Sequence, residues 1–154
     1  MARGLWLAGG LALAAAALLA GNALRSLLEP DARITAPVNT RCDLHQGPCR
    51  TALPRGGEVI LSILPRDIPV MQPLDIRVQI RGLEASSARV EFVGVNMDMG
   101  LTRAPLSAQG GAKFTGSGML PVCTRSRMVW DARVMVETPR GLVVAPFRFE
   151  TLRP

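Results

Sequence analysis

The sequence predicts one all-β domain that follows a single apolar N-terminal segment. After residue 56, short runs rich in Val, Ile and Leu are separated by Pro and Gly turns about every ten residues, which is typical of β-sandwiches and barrels. In the clearest run, residues 74–81, Ile76, Val78 and Ile80 alternate with polar residues. This period of two predicts a strand with one buried face and one exposed face.

The N-terminal segment predicts a membrane anchor. Residues 4–24 read GLWLAGGLALAAAALLAGNAL and carry no charge, and a helix that rises about 1.5 Å per residue over this length spans a hydrocarbon layer about 30 Å thick. Arg3 precedes the segment, so the positive-inside tendency predicts a single-pass inner-membrane protein whose domain lies in the periplasm. A cleaved signal peptide is the alternative, because residues 20–23, AGNA, also suit a processing site.

These patterns divide the chain into three parts. Residues 1–25 form the membrane anchor, or an uncleaved signal-like helix. Residues 26–56 hold four prolines and show little periodicity, which predicts a linker and an irregular lead-in that contains two cysteines. Residues 57–154 form the predicted β-sandwich domain.

Seven strands are predicted within that domain. The segment 127–137 places Met128, Trp130, Ala132, Val134 and Val136 on one face, and a Thr-Pro-Arg-Gly turn joins it to the last strand. The predicted strands are 58–64, 74–81, 89–95, 101–106, 112–120, 127–137 and 142–150. Seven strands in about 100 residues is the usual number for an immunoglobulin-like sandwich, which is the predicted architecture, with the Trp130 indole in its core.

Composition and motifs argue against nucleic-acid binding and against catalysis. The net charge is +6, but it is spread along the chain without a basic block, and the chain has no Tyr for base stacking. The single histidine, His45, lies in the lead-in, and neither a Gly-rich phosphate loop nor an HExxH helix is present. We therefore expect a non-enzymatic protein without a nucleic-acid partner.

Two of the three cysteines, Cys42 and Cys49, lie close together in the lead-in and bracket six residues that include Gly47 and Pro48. In an oxidising compartment this spacing predicts a disulfide between them. Three alternatives stay open: Cys123 as the disulfide partner, a dithiol metal site that includes His45, and a redox-active pair.

The methionines predict a site for a soft metal. Met97 and Met99 are two residues apart in an Asn-Met-Asp-Met-Gly segment, so in an extended backbone both thioethers point the same way. Met119 and Met128 flank Cys123, so a turn between two strands would gather their sulfurs. Thioether and thiolate ligands select Cu(I). The alternative is that methionines fill gaps in the core, which is favoured for Met128.

These features resemble the FixH-like and YtkA-like periplasmic proteins over residues 57–150. The residues that carry the resemblance are Asn96, Met97, Asp98, Met99, Gly100, Gly116, Gly118, Trp130 and Phe149. The resemblance implies an immunoglobulin-like fold, copper handling and assembly of haem-copper oxidases. The copper ligands that it implies in this sequence are Met97 and Met99. Related copper chaperones use a His-plus-Met set, whereas this predicted sandwich contains no histidine.

Two functions follow as hypotheses. The first is a membrane-tethered periplasmic accessory protein that binds or delivers Cu(I) during respiratory oxidase assembly, with a membrane oxidase or its assembly factors as partner. The second is a metal-free interaction module, in which residues 97–106 form an apolar contact surface for a membrane protein.

Overall fold

The computed structural model describes residues 33–152, and this part of the chain is all-β. Its strands are β1 (Ile34–Thr35), β2 (Cys49–Ala52), β3 (Glu58–Leu64), β4 (Leu74–Arg81), β5 (Ser87–Gly94), β6 (Leu101–Pro105), β7 (Ser107–Ala108), β8 (Lys113–Gly118), β9 (Arg127–Thr138) and β10 (Gly141–Leu152). The predicted anchor over residues 1–25 lies outside the described residues. No helix in the described part of the chain is long and apolar enough to cross a membrane.

The strands form two five-stranded sheets. Sheet A has the order β1-β10-β9-β5-β6, and sheet B has the order β2-β3-β4-β8-β7. Neighbouring strands are antiparallel except for β1, which runs parallel to β10. All seven predicted strands are present, as β3, β4, β5, β6, β8, β9 and β10. The prediction of an all-β fold is therefore confirmed, and β1, β2 and β7 are additional short strands.

One core lies between the inward faces of the two sheets. In β4 every second residue is buried, from Leu74 to Ile80, and in β9 the inward row includes Met128 and Trp130, as the period of two predicts. The Trp130 indole is fully buried, and its Nε1 donates a hydrogen bond to Thr151 Oγ1 at 3.0 Å. This bond satisfies the one polar group that the indole brings into the core.

The lead-in also contributes to this core. Residues before 57 supply β1 and β2, and Leu44 and Cys49 are buried with the core residues. Strands of two and four residues are too short to show a period of two, so the sequence pattern of the lead-in is irregular although its backbone joins both sheets.

Glycines in β8 allow the chain to cross from one sheet to the other between β6 and β7. A Cβ on Gly116 would lie 2.3 Å from the carbonyl oxygen of Pro105, and one on Gly118 would lie 3.1 Å from the Cβ of Ala104. The Gly-x-Gly pair therefore provides the space in which the crossing segment packs on β8.

Several loops meet at one end of the two sheets. The Met71 amide donates to the Leu120 carbonyl at 2.9 Å, which joins loop 65–73 to loop 119–126. The thiol of Cys123 in loop 119–126 contacts Met97 in loop 95–100. We call these three loops and the strand ends beside them the sulfur end, because most of the predicted sulfur ligands lie there.

Candidate metal site

The thiol of Cys123 and the thioether of Met97 are in direct contact. Their Sγ and Sδ atoms are 3.3 Å apart, although the two residues are 26 positions apart in the chain. In the protonated form the thiol donates a weak hydrogen bond to the thioether. A zinc–sulfur bond is about 2.3 Å long, and two bonds of about this length can join one ion to both sulfurs.

Loop 95–100, which presents Met97, is held in place by its polar neighbours. The Asn96 side chain accepts a hydrogen bond from the Val129 amide at 3.1 Å and donates one to the Arg127 carbonyl at 3.2 Å. The Asp98 carboxylate accepts from the Gly100 amide at 2.9 Å, which closes a tight turn. The polar residues of the Asn-Met-Asp-Met-Gly segment thus fix the position of the thioether against the start of β9.

Gly94, the last residue of β5, lies beneath this loop. A Cβ at this position would be 2.2 Å from the Met97 carbonyl oxygen and 2.7 Å from the Met128 Cε. A residue with a side chain would therefore push the loop or the Met128 methyl group away. The sequence offered Gly94 no special role, because a glycine at a strand end is common.

Cys123 lies in the loop between β8 and β9 and is partly exposed. Its sulfur accepts a hydrogen bond from the Arg125 amide at 3.4 Å, which would persist in the thiolate. Cys123 also borders a small cavity of about 10 Å³, whose wall includes Met128, Trp130 and Thr151. The thiol therefore has an exposed thioether on one side and a buried one nearby.

The five predicted metal ligands lie in different environments. Met97 is 37% exposed and contacts Cys123, whereas Met128 is 2% exposed and lines the same cavity as the thiol. Met99 packs against the core, and Met119 is 43% exposed. The prediction that Met97 and Met99 point the same way assumed an extended backbone, but residues 95–97 form a bend. The structure therefore brings together Met97 and Cys123, with Met128 close by.

The two lead-in cysteines are paired with each other. Cys42 Sγ and Cys49 Sγ are 2.07 Å apart, and Cys123 is free. This pairing agrees with the predicted disulfide and differs from the alternative in which Cys123 is the partner. Two sulfurs bonded to each other do not serve as thiolate ligands, so the geometry does not favour a dithiol metal site in the lead-in.

His45 serves as a structural bridge. Its Nδ1 lies 2.7 Å from the Arg66 carbonyl oxygen and its Nε2 lies 2.8 Å from the Glu150 carbonyl oxygen. Both ring nitrogens are therefore occupied by backbone contacts that connect the lead-in to loop 65–73 and to β10. Among residues 33–152, no group of three or more His, Cys, Asp or Glu side chains could hold a metal ion.

Sequence reasoning missed the apolar character of the sulfur end as a whole. Within the described residues, the exposed large apolar side chains are Met71, Val95, Met97, Leu101, Met119, Val122 and Leu152. All of them belong to the sulfur end. Apolar residues in segments bounded by Gly and Pro, such as Val122 in Leu-Pro-Val-Cys, were the signal that would have indicated it.

Comparison of the chain with protein-family models, with curated proteins and with solved structures finds no match.

Proposed function

We propose that this protein is a membrane-tethered periplasmic accessory protein that binds Cu(I) through Met97 and Cys123 and delivers it during respiratory oxidase assembly. The observation that carries the proposal is the 3.3 Å contact between the two sulfurs. A thiolate and a thioether are soft ligands, which favour Cu(I) over harder ions.

Metal binding at this pair requires loss of the thiol proton, because the thiolate is the ligand. The Arg125 amide already points its N–H at the Cys123 sulfur, which supports the negative charge. Met128 lines the same small cavity as Cys123 and is an additional soft donor there. Because Met97 is partly exposed, an incoming ligand of a recipient can replace it, so transfer by ligand exchange needs no catalytic group.

The location and the recipient come from the sequence. The uncharged segment 4–24 supports a single-pass inner-membrane anchor with the domain in the periplasm. The resemblance to FixH-like and YtkA-like proteins supports an immunoglobulin-like sandwich and a haem-copper oxidase, or one of its assembly factors, as recipient. Two sheets packed on one core are compatible with that fold.

The proposal is tested by anaerobic titration of the full chain in detergent with Cu(I), in competition with a chromogenic chelator. Binding of one ion per chain is expected, and Cys123→Ser or Met97→Leu should each abolish it. Met135→Leu is the matched control, because Met135 is a buried methionine on the outward face of β9. Equal binding by all four proteins would show that the sulfur pair is not the site.

A second function is favoured by a specific observation. The exposed apolar residues gathered at the sulfur end are typical of a protein contact surface, so the domain can act as a metal-free interaction module for a membrane protein. In that case the contact of Cys123 with Met97 serves only to pack the two loops.

Two conservative changes separate these functions. Met97→Leu keeps an apolar side chain of similar volume but removes the thioether, so it should abolish Cu(I) binding and preserve a contact surface. Val122→Ser removes an exposed apolar side chain beside Cys123 and should weaken cross-linking to a membrane partner while leaving the donors intact. If the wild type binds no measurable Cu(I) and Val122→Ser loses cross-linking to the partner, the interaction module is favoured.

A further inference from the structure

The outward face of sheet A carries a groove lined by four arginines and two acids. These residues are Arg33, Arg89, Arg103, Arg133, Glu91 and Asp131. The groove has a volume of about 630 Å³, and one of its walls is formed by residues 35–38 of the lead-in. It lies on the opposite side of the sheet from the core, and neither the sulfur pair nor the proposed copper transfer uses it.

The strand register places opposite charges in a row across the sheet. Glu91 in β5 lies opposite Arg103 in β6 and opposite Arg133 in β9. Its carboxylate accepts hydrogen bonds from Arg89 at 3.1 Å and from Arg103 at 3.4 Å. Glu91 is therefore shared by two arginines, and the groove lining has more positive than negative groups.

The acids lie beneath the arginines. Glu91 is 9% exposed and Asp131 is 7% exposed, whereas Arg103 and Arg133 are exposed. The side-chain hydrogen bond to Glu91 raises the pKa of Arg89, opposed by its desolvation and assisted by Glu137. The Glu91 carboxylate thus holds the guanidinium groups of Arg89 and Arg103 in place by hydrogen bonds.

Arg103 keeps donors free for a ligand. A guanidinium has five N–H donors, and the bond from Arg103 to Glu91 uses only its Nε. With four arginines and two acids in the lining, the groove has an excess of two positive charges. Arginine forks match the oxygen atoms of a phosphate group in geometry and in charge.

We propose that this groove binds the phosphate headgroups of anionic phospholipids in the membrane that holds the anchor. The proposal rests on the anchor in the proposed function but not on copper binding. Residues 25–32 are the eight positions between the apolar segment and Arg33, and at no more than about 3.6 Å each they reach about 30 Å at most. Arg33 lines the groove, so no more than these eight residues of chain separate the groove from the predicted membrane segment.

Docking through this face also affects the sulfur end. Leu101 lines the groove and is one of the exposed apolar residues of the sulfur end. A lipid-bound groove would therefore bring the Met97 and Cys123 pair toward the membrane of the proposed recipient.

The test uses the full chain in nanodiscs of phosphatidylcholine alone or of phosphatidylcholine with phosphatidylglycerol. Arginines are labelled with phenylglyoxal and quantified by mass spectrometry. Phosphatidylglycerol should slow labelling of Arg103 and Arg133 about fivefold, the effect of roughly 1 kcal/mol per arginine near an anionic surface. Arg50 and Arg77, exposed on β2 and β4 of sheet B, are internal controls whose labelling should not change.

A charge-reversal pair tests the site independently. Arg103→Glu with Arg133→Glu should remove the effect of phosphatidylglycerol on labelling of Arg33, whereas Arg50→Glu with Arg77→Glu, the same change in charge on sheet B, should leave it. If the first pair does not fold, the corresponding Gln variants replace it. Equal labelling of Arg103 in both nanodiscs, or equal slowing at Arg77, would overturn the groove proposal.

The proposed membrane anchor and the proposed lipid-binding groove can be refuted separately. A chain that does not co-elute with nanodiscs contradicts the anchor, and the same labelling with phosphatidylglycerol vesicles then decides whether the groove binds anionic lipid. Cu(I) titration of the nanodisc sample reports on the sulfur pair, so a loss of lipid protection with intact copper binding overturns only the groove.

Discussion

The backbone of Gly94 lies directly against the carbonyl group of Met97, where a Cβ would approach the oxygen to 2.2 Å. Gly94 ends β5, and its partner in β9 is Trp130. Only a glycine at this position lets the strand end and loop 95–100 approach so closely. The position of the Met97 thioether depends on this contact.

Replacement of Gly94 by alanine should therefore displace Met97 from Cys123. We expect Cu(I) affinity to fall about 10- to 100-fold, the usual effect of disturbing the residues that position a metal ligand, with an overpacking cost of about 1–3 kcal/mol in the free energy of unfolding. Chelator competition and urea denaturation measure the two effects. Gly47→Ala is the control, because no atom beyond its two chain neighbours lies within 4 Å of a Cβ at that position. Unchanged Cu(I) affinity in Gly94→Ala would show that metal binding does not depend on the position of loop 95–100.

The His45 bridge should contribute to stability and not to metal binding. His45→Phe leaves the Arg66 and Glu150 carbonyl groups without their contacts to the ring, which should lower the free energy of unfolding by about 1–3 kcal/mol. Cu(I) stoichiometry should be unchanged. Gln46→Ala, at an exposed neighbouring position, should have little effect on either measurement. A loss of copper binding in His45→Phe would indicate that the imidazole is a ligand.

The disulfide should likewise stabilise the domain without taking part in the site. Replacing both Cys42 and Cys49 by serine opens a short loop, with a sequence separation of 7, which should cost about 2–3 kcal/mol on the loop-entropy model. Thermal denaturation measures the loss. Cu(I) affinity measured below the unfolding transition should equal that of the wild type, and a large decrease would support a dithiol site in the lead-in instead.

Asn96 should act through the position of loop 95–100. Asn96→Ala removes its bonds to the Val129 amide and the Arg127 carbonyl, at a cost of about 1 kcal/mol for each bond. Because the loop carries Met97, the same variant should weaken Cu(I) binding. Asn39→Ala is a matched control, since Asn39 also bonds to backbone but lies in the lead-in. Equal copper affinity in the two variants would mean that the loop keeps its shape without Asn96.

The strands were predictable where one face is buried over several residues. In β4 and β9 the alternation of apolar and polar residues follows the observed burial closely. The strands β1 and β7 have two residues each, too few to show a period. The position of β1 depends on pairing with β10, which is distant in the chain, whereas β7 pairs with the neighbouring strand β8. Burial of Leu44 in the lead-in is likewise a product of tertiary packing.

The candidate site was predictable in composition but not in geometry. The sequence pointed to Met97 and Cys123 through the chemistry of sulfur ligands, and the structure brings these two into contact. The sequence could not show that the Asp98 carboxylate closes a turn with the Gly100 amide. Asp98 lies between Met97, which contacts Cys123, and Met99, which packs against the core. The charged row across sheet A was also hidden, because it depends on the register of three strands.

The central claim is that one Cu(I) ion is bound by the sulfurs of Met97 and Cys123. X-ray absorption spectroscopy of the full chain loaded with one equivalent of Cu(I) tests it most directly, because the copper-edge fine structure distinguishes sulfur from nitrogen and oxygen neighbours. We expect a first shell of sulfur only, which is unchanged in Met135→Leu, whereas Cys123→Ser should hold no copper in sulfur coordination. A shell dominated by nitrogen or oxygen, or one that is identical in wild type and Cys123→Ser, would contradict the proposed site.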